Sequence, residues 1–347
     1  MHQFNVRILF ALICVTSTTP TFAQTCVGDI AIDNRIDGGD LGVMLANWGP
    51  VTSTALSRAC DLDGNSIVNG ADLGMLLSNW GVCPPQAPAW ATLVESYPDP
   101  SIVTDPALRA AIIATGLAWR VRDTGTQMEM LLIPPGAFQM GCGIAPDAGA
   151  CQADELPVHQ VTLTSAFYMG RFEVTQSQWV AKMGSNPSYF RGQSDSADRP
   201  VEQVSWNRIQ SYLDATGMRL ATEAEWEFAC RAGTPTPFYN GSTDPATVVD
   251  IAWFILNSGM ETHPVGLKAA NNLGLHDMLG NVGEWVRDYF SPYSANAQVN
   301  PLRDSGSYVV MRGGGWGQYA GRSSERSYDS PNIVYQGDGG FRVARDP

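Results

Sequence analysis

Residues 219–233 read Arg219-Leu-Ala-Thr-Glu-Ala-Glu-Trp-Glu-Phe-Ala-Cys-Arg-Ala-Gly233, the most densely patterned segment of the 347-residue chain. The Thr222 hydroxyl can accept from a free backbone amide while Glu225 reaches back, so this segment predicts a helix that opens at Thr222. Three further signatures follow in order: Gly274-Leu-His-Asp-Met-Leu-Gly-Asn-Val-Gly-Glu-Trp285, Met311-Arg-Gly-Gly-Gly-Trp316 and Gly339-Gly-Phe-Arg-Val-Ala-Arg345. Together they indicate one domain that extends from about Met128 to the C-terminus.

Short apolar segments alternate with loops rich in Gly, Ser, Asn and Asp around these signatures. The pattern predicts strands at Met130–Met140, Gln160–Glu173, Tyr308–Arg312 and Phe341–Arg345, and helices at Glu173–Met183 and Pro200–Thr216. Helices interspersed with short strands are typical of a mixed α+β domain.

The four signatures resemble the formylglycine-generating enzyme family, also called the sulfatase-modifying factor family. The resemblance implies an α+β, C-type-lectin-like fold with much irregular structure, which we place at residues 122–347. The chain departs from the family pattern at Ala221, where the family has proline, and at Gly283, where it has tryptophan. The resemblance also implies that Arg219, Arg312 and Arg342 make charge-assisted hydrogen bonds that organise loops.

Family members that oxidise a sulfatase cysteine carry two cysteines, separated by four residues, after the strand that ends in Arg-Gly-Gly-Ser-Trp. Those soft thiolates hold copper(I), which carboxylates and amides could not replace. The corresponding segment here, Gly313 to Arg326, contains no cysteine. We therefore expect no bound copper and name no catalytic residue.

Two functions remain open at this point. The first is a binding protein that keeps the family architecture without its oxidase site, with loops 185–198 and 313–338 shaping the surface for an unknown glycan, peptide or protein ligand. The second is an enzyme of the formylglycine-generating oxidase family that acts on exported sulfatases or other substrates by other chemistry. The mature histidines, His159, His263 and His276, are each isolated in sequence, which favours hydrogen-bonded structural roles.

The resemblance further implies a calcium ion near the Gly-Asn-x-x-Glu-Trp turn. Position by position, its ligands fall on Asp277, Gly280, Val282 and Glu284, where both carboxylates are kept. Such an ion would stabilise irregular backbone that cannot satisfy its own polar groups. The alternative is that Glu284 accepts hydrogen bonds from loop amides without a metal.

A 32-residue repeat occupies the N-terminal part of the chain, where Asp29 to Asp40 matches Asp61 to Asp72. The second copy has oxygen-bearing side chains at loop positions 1, 3, 5, 9 and 12, with a backbone carbonyl at position 7, which is calcium-loop spacing. Its expected ligands are Asp61, Asp63, Asn65, Ile67, Asn69 and Asp72. The first copy offers Asp29, Asp33, Asp37 and Asp40 but has Ala31 at position 3, so we expect weaker calcium binding there. Asp/Gly turns between two helices, without metal, are the alternative.

These repeats resemble dockerin-type calcium repeats. The resemblance implies a small all-α, EF-hand-like module at 24–83, with helices at Leu41–Trp48 and Leu73–Trp80. It also implies a docking partner, either a cohesin-like domain or another cell-surface protein. For residues 84–121 the sequence predicts a proline-rich linker and one helix from Asp105 to Val121.

The first residues, 1–23, predict a signal peptide with Arg7 in its charged region, an apolar core and a small-residue cleavage site at Ala23. We expect a secreted, periplasmic or cell-surface protein without a membrane span, because no later apolar run is long enough to cross a bilayer. The net charge of −13 argues against nucleic acid as a partner.

Six of the seven cysteines follow the predicted signal peptide. In an oxidising compartment an even number favours disulfides. Cys142 with Cys151 is the favoured local pair, and Cys26 with Cys83 could bracket the repeats. Cys60 and Cys230 have no obvious partner.

Overall fold

The computed structural model describes residues 26, 28–31, 35–143, 151–319 and 321–347. The predicted signal peptide, 1–23, and the predicted calcium ligand Asp33 lie outside these residues.

The N-terminal repeats form a small unit of three helices and four very short strands. In chain order these are β1 (Arg35–Ile36), α1 (Gly38–Ala46), β2 (Gly49–Pro50), α2 (Ala55–Ala59), β3 (Ile67–Val68), α3 (Gly70–Ser78) and β4 (Gly81–Val82). Helices α1 and α3 begin earlier than expected and end before the tryptophans. Their starts are fixed by capping boxes, Asp37 with Asp40 and Asn69 with Asp72. In each box, the side chain of one residue accepts a hydrogen bond from the backbone amide of the other.

The two copies are joined by strand pairing. Strand β1 of the first copy pairs antiparallel with β4 of the second, and β2 pairs with β3 in the same way. Ile36 and Val68 are equivalent in the repeat, as are Met44 and Leu76, and all four are fully buried in one small core. A disulfide joins Cys26 to Cys83 across this unit, as expected.

The rest of the chain forms a mixed α/β domain. Its elements are β5 (Ala91–Glu95), α4 (Pro106–Ala114), β6 (Arg120–Asp123), β7 (Glu129–Ile133), β8 (Gly136–Met140), β9 (His159–Leu163), β10 (Phe167–Gly170), α5 (Gln176–Met183), α6 (Trp206–Thr216), β11 (Arg219–Leu220), α7 (Glu223–Arg231), β12 (Gly283–Tyr289), β13 (Gln298–Val299), β14 (Val309–Arg312), β15 (Arg326–Asp329), β16 (Gly339–Gly340) and β17 (Val343–Arg345). Short 3-10 helices lie at Ala153–Glu155, Ser196–Asp198 and Pro245–Asp250.

These strands form three sheets. A six-stranded sheet has the order β11-β17-β10-β7-β6-β5, a four-stranded sheet the order β15-β14-β12-β16, and a three-stranded sheet the order β13-β9-β8. Fully buried aromatic side chains fill the core around them, among them Trp179, Trp226, Trp285 and Phe341. Trp226, Trp285 and Phe341 thus belong to the core, whereas Trp316 is only half-buried.

Several predicted elements divide or shorten in the structure. The single strand expected at 130–140 is two strands in different sheets, because Pro134 and Pro135 interrupt the ladder where they lack N–H donors. The strand expected at 160–173 likewise divides into β9 and β10. The helix expected over 105–121 ends at Ala114, and Gly116, with φ +70°, turns the chain toward β6.

The segment predicted as a linker and helix, 84–121, also contributes strand β5 to the six-stranded sheet. Gln86 accepts from the Ala118 amide at 2.8 Å and donates to the Gly116 carbonyl at 3.0 Å, so the start of the segment is hydrogen-bonded to its end. Between α7 and β12, residues 232–282 carry only one 3-10 helix, which agrees with the irregular structure expected there. None of the helices in the described residues combines the length and apolar character needed to cross a lipid bilayer.

Candidate functional site

The segment that follows strand β14 is anchored to helix α7 by buried charges. Arg312, fully buried, donates to the Glu223 carboxylate at 3.0 Å and to the Glu227 carboxylate at 2.5 Å. It also donates to the Ser323 carbonyl at 2.7 Å, which holds the returning chain. The charge-assisted role expected for Arg312 is confirmed, and the network fixes where residues 313–326 leave the core.

We give the name apolar rim to the apolar side chains of this segment and of the two loops that contact it. Its members are Tyr189, Phe190, Ile255, Leu256, Met260, Trp316 and Tyr319. Phe190 packs edge-on against Trp316 with ring centroids 5.5 Å apart. The Ile255 amide donates to the Gln318 carbonyl at 2.9 Å, and the Ser258 hydroxyl donates to the Trp316 carbonyl at 3.0 Å. Loops distant in sequence therefore meet at Trp316.

The rim is exposed. Tyr319 is 76% exposed, Leu256 73% and Tyr189 67%. The buried Glu202 carboxylate accepts from the amides of Tyr189 and Phe190 at 2.9 Å each, so the backbone of this loop is held in place. A fixed cluster of exposed apolar side chains of this kind is the usual mark of a binding surface.

A second feature is a buried group of three carboxylates, Glu173, Asp277 and Glu284, around the single guanidinium of Arg342. Arg342 donates to both Glu284 oxygens, with a shortest distance of 2.7 Å, and Glu284 also accepts from the Trp226 indole at 2.7 Å. The charge-assisted role expected for Arg342 is confirmed. Burial, together with Asp277 and Glu284, raises the pKa of Glu173 well above its ordinary value.

Asp277 is the member of this group whose hydrogen bonding is incomplete. Its Oδ2 atom accepts from the Gly266 amide at 2.6 Å, but Oδ1 is buried and has no partner among the described residues. Burial raises the pKa of Asp277 to about 6. Val282 donates its amide to Glu173 at 3.1 Å, and Gly280 donates to the Gly313 carbonyl at 2.9 Å. An excess of buried negative charge and an orphaned oxygen are features that a cation would relieve.

The second N-terminal loop brings its acidic side chains together. One carboxylate oxygen from each of Asp61, Asp63 and Asp72 lies within 4.8 Å of the other two. Burial would raise the pKa of Asp72, but backbone hydrogen bonds from Asn69, Asp63 and Leu62 outweigh it and lower that pKa. Three converging carboxylates match the oxygen-rich donor set that calcium prefers.

The remaining predicted ligands of that loop, Asn65, Ile67 and Asn69, are hydrogen-bonded to one another. Asn65 accepts from the Ile67 amide at 2.8 Å, and Asn69 donates to the Ile67 carbonyl at 3.0 Å. In the first loop, Asp40 accepts from the amides of Ile30 and Ala31 at 2.7 and 2.9 Å, and Asp37 accepts from Gly39 at 2.8 Å. Asp29 is buried beside them.

The family of the main domain follows from its sequence match. The model of the sulfatase-modifying factor enzyme 1-like domain matches residues 118–347. This chain belongs to that family. The expected family membership is confirmed, and its start lies within a few residues of strand β6.

Individual relatives of this chain carry several names. Chaperone protein LppX of Paenibacillus barcinonensis is 27% identical over 305 residues, an alignment that covers 69% of this chain and 96% of LppX. The formylglycine-generating enzyme of Streptomyces coelicolor is 33% identical over 303 residues, covering 68% of this chain and 94% of the enzyme. Treponema denticola variable protein 1 is similar in structure, with a TM-score of 0.56 and 30% identity over 63% of this chain and 95% of that protein.

The thiols of this sulfatase-modifying factor domain do not fit a copper(I) site. Cys142 and Cys151 are joined in a disulfide, as expected. Burial raises the pKa of the Cys230 thiol to about 12, and its sulfur lies 3.6 Å from the Ser323 hydroxyl. Within the described ranges, the one other free thiol, Cys60, is buried in the core of the N-terminal repeats. A pair of accessible thiolates is therefore missing from the described residues.

Some residues of these sites were not anticipated. The sequence placed Glu173 only at the end of a strand or helix. In the structure its carboxylate accepts hydrogen bonds from the Asn281 side chain and the Val282 amide, which are distant in sequence. The three histidines each lie within hydrogen-bonding distance of a backbone carbonyl, at 2.7 to 3.1 Å, as expected for structural roles. The two disulfides indicate a fold formed in an oxidising compartment.

Proposed function

We propose that this chain is an exported binding member of the sulfatase-modifying factor family, with no copper oxidase activity. The proposal rests chiefly on one observation: beside the segment where oxidase members of the family hold copper, this chain presents the apolar rim. Exposing so much apolar surface is unfavourable unless a partner covers it. We assign to the rim a peptide or protein segment that presents apolar side chains.

The apolar rim can be tested by substitution. Tyr319→Ser and Leu256→Ser should each weaken binding to a peptide selected from an array by about tenfold or more, because buried aromatic and aliphatic anchors dominate binding energy. Leu93→Ser, which changes an exposed leucine of strand β5, serves as the matched control and should leave binding unchanged. Calorimetric titration of the selected peptide provides the measurement. Selection of glycans alone from a parallel array, or equal binding by all three variants, would contradict this role.

We further propose that the N-terminal repeats bind calcium and tether the chain, in the manner of dockerin-type modules, to a cohesin-like or other cell-surface protein. The convergence of Asp61, Asp63 and Asp72 supports this assignment. The first loop, with Ala31 in place of an oxygen ligand, is assigned a weaker site.

Calcium binding by the second loop can be measured in the whole chain. Calorimetric titration should give one strong and one weaker N-terminal site, and Asp61→Asn combined with Asp63→Asn should remove the strong one, because two carboxylate ligands are lost. Asp304→Asn, at an exposed aspartate far along the sequence, should change nothing. If the wild type and the double variant gave the same heat of calcium binding, the second loop would be excluded as a calcium site.

A structural calcium ion at Asp277, Gly280, Val282 and Glu284 is proposed as well. The orphaned Asp277 oxygen supports it, whereas the tight pairing of Glu284 with Arg342 supports the alternative in which that carboxylate needs no metal. Asp277 has φ +55°, a conformation that asparagine tolerates, so Asp277→Asn removes charge with little backbone cost. Chelator should lower the unfolding temperature of the Asp61/Asp63 double variant by more than it lowers that of the same variant carrying Asp277→Asn.

An enzyme that acts on exported sulfatases or other substrates is the second candidate. The similarity to a formylglycine-generating enzyme supports it. It would require oxidation chemistry without the paired thiolates, since those are missing from residues 313–326. Export itself, through cleavage of residues 1–23, is part of the proposal and is checked by sequencing the N-terminus of the secreted protein.

A further inference from the structure

A polar cavity of about 290 Å³ lies away from the apolar rim, and none of the rim residues lines it. It is formed by the start of β9, the first turn of α7, the end of β12 and the segment 291–303. Pockets for drug-sized ligands span roughly 300–1,000 Å³. The cavity therefore has room for one small ring rather than for an extended chain.

The buried charges in the cavity wall neutralise one another. Glu223 accepts from Arg326 at 2.8 and 2.7 Å and from Arg312 at 3.0 Å. The Nη1 group of Arg326 donates to the Asp154 and Ser291 carbonyls at 2.9 and 3.1 Å. Because these groups already satisfy each other, neither the Glu223 carboxylate nor the Arg326 guanidinium is free to pair with a charged ligand.

His159 gives the wall a buried acceptor. The side chain is only 5% exposed, and its ring packs against Tyr293 with centroids 4.9 Å apart. Nδ1 lies 3.1 Å from the Pro157 carbonyl, which can only accept, so in the neutral imidazole Nδ1 carries the proton. Nε2 then has a lone pair and no partner in the part of the chain that the structure describes. A ligand that donates a hydrogen bond would satisfy it.

The neighbouring polar groups mix donors with acceptors. Asp288 is fixed by the amides of Glu223 and Arg303, at 2.7 and 2.8 Å, and burial raises its pKa to about 7. Near neutral pH this carboxyl can therefore both donate and accept. The Gln298 amide, half-buried in strand β13, can do the same.

We propose that this cavity binds a neutral, polyhydroxylated ring, one sugar unit of a glycan, with His159 and Gln298 as hydrogen-bonding partners. Hydroxyl groups both donate and accept, so they match this lining. A carboxylate has no hydrogen for His159 Nε2 and would face Asp288, and an ammonium would lie beside Arg326. The site is independent of the function proposed for the apolar rim.

Binding of simple sugars by the full mature chain tests the proposal. The probes are neutral methyl glycosides of glucose, galactose, mannose and xylose, together with the uronate and amino-sugar counterparts of the first three. Ligand-observed NMR identifies binders, and calorimetry measures their affinity. At least one neutral glycoside should bind, and its charged counterparts should bind at least about tenfold more weakly.

Two substitutions in the cavity and one control complete the test. His159→Phe keeps a ring against Tyr293 but removes the acceptor, and Gln298→Leu removes the amide, so each should weaken binding about tenfold or more. Gln210→Leu, at a half-buried glutamine of helix α6 outside the cavity, should not. Thermal unfolding verifies that each variant is folded. If His159→Phe does not fold, the binding measured with Gln298→Leu decides the test. Binding of no neutral glycoside, tighter binding of a charged counterpart, or affinity that survives the cavity substitutions would overturn the proposal.

Discussion

Individual arginines in this protein act by pairing with carboxylates that lie far away in sequence. Arg326 and Arg312 reach Glu223 across 103 and 89 positions, and Arg342 reaches Glu284 across 58. Sequence reasoning could anticipate that Arg312 and Arg342 make such bonds, because both stand in dense signatures. It could not name the partners or find the cavity beside Glu223, since these depend on contacts between distant segments.

Glu129 illustrates the energetic role of such pairs at the edge of the core. Burial alone would raise the pKa of Glu129, but hydrogen bonds from Arg120, Arg171 and Arg122 outweigh it and lower that pKa from 4.5 to about 2. A lowered folded-state pKa stabilises the fold above about pH 4.5, and this stabilisation is lost as the pH falls toward 2. This contribution to the free energy of unfolding is about 1 to 2 kcal/mol after allowance for the partial solvent exposure of Glu129.

Glu129→Gln should therefore lower the free energy of unfolding at pH 6, and the difference from wild type should shrink at pH 3. Urea unfolding at both pH values gives the two differences. Asp214→Asn, at an exposed carboxylate of helix α6, is the control and should have little effect at either pH. A Glu129→Gln effect that is equally large at pH 3 would mean that these ion pairs are not its cause.

At the scale of elements, a local capping signal predicted the start of helix α7, whereas helices α1 and α3 begin three residues before their expected starts. The capping box that begins at Thr222 is present as expected. Thr222 Oγ1 accepts from the Glu225 amide at 3.1 Å, and the Glu225 carboxylate accepts from the Thr222 amide at 2.8 Å. The division of predicted strands depended on which sheet each half joins, and this is not encoded locally. Strand β5 was missed because its pairing with β6 places it in the sheet although proline-rich sequence precedes it.

Removal of the cap at Thr222 should destabilise the domain measurably. Thr222→Ala should lower the free energy of unfolding by about 1 kcal/mol, because a helix-terminal amide loses its acceptor. Thr222→Ser keeps the hydroxyl and should stay close to the wild type. Chemical denaturation compares the three proteins, and equal stability of the Ala and Ser variants would show that the hydroxyl does not stabilise helix α7.

At the scale of the whole molecule, the chain has two separate apolar cores of very different size. The smaller core, in the N-terminal repeats, contains few large side chains and is closed by the disulfide Cys26–Cys83. Small cores of this kind usually need a covalent or metal constraint. The larger core supports the buried ion pairs that position the rim, the carboxylate group and the polar cavity.

Family membership was predictable from four sequence signatures because they encode core and loop-anchoring positions. The lack of a cysteine pair in segment 313–326 follows from residue type alone. The structure adds that Cys230, the free thiol near this segment, is buried against Ser323 with a raised pKa, so that it is protonated at neutral pH.

Incubation of the purified chain with copper, oxygen and a Cys-x-Pro-x-Arg peptide, followed by mass spectrometry, decides between binding and oxidation. The formylglycine-generating enzyme of Streptomyces coelicolor is the positive control. We expect the peptide cysteine to remain unmodified in the presence of this chain, because segment 313–326 has no cysteine pair to hold copper(I). Formation of formylglycine with catalytic turnover would contradict the assignment of this domain as a binding member of its family.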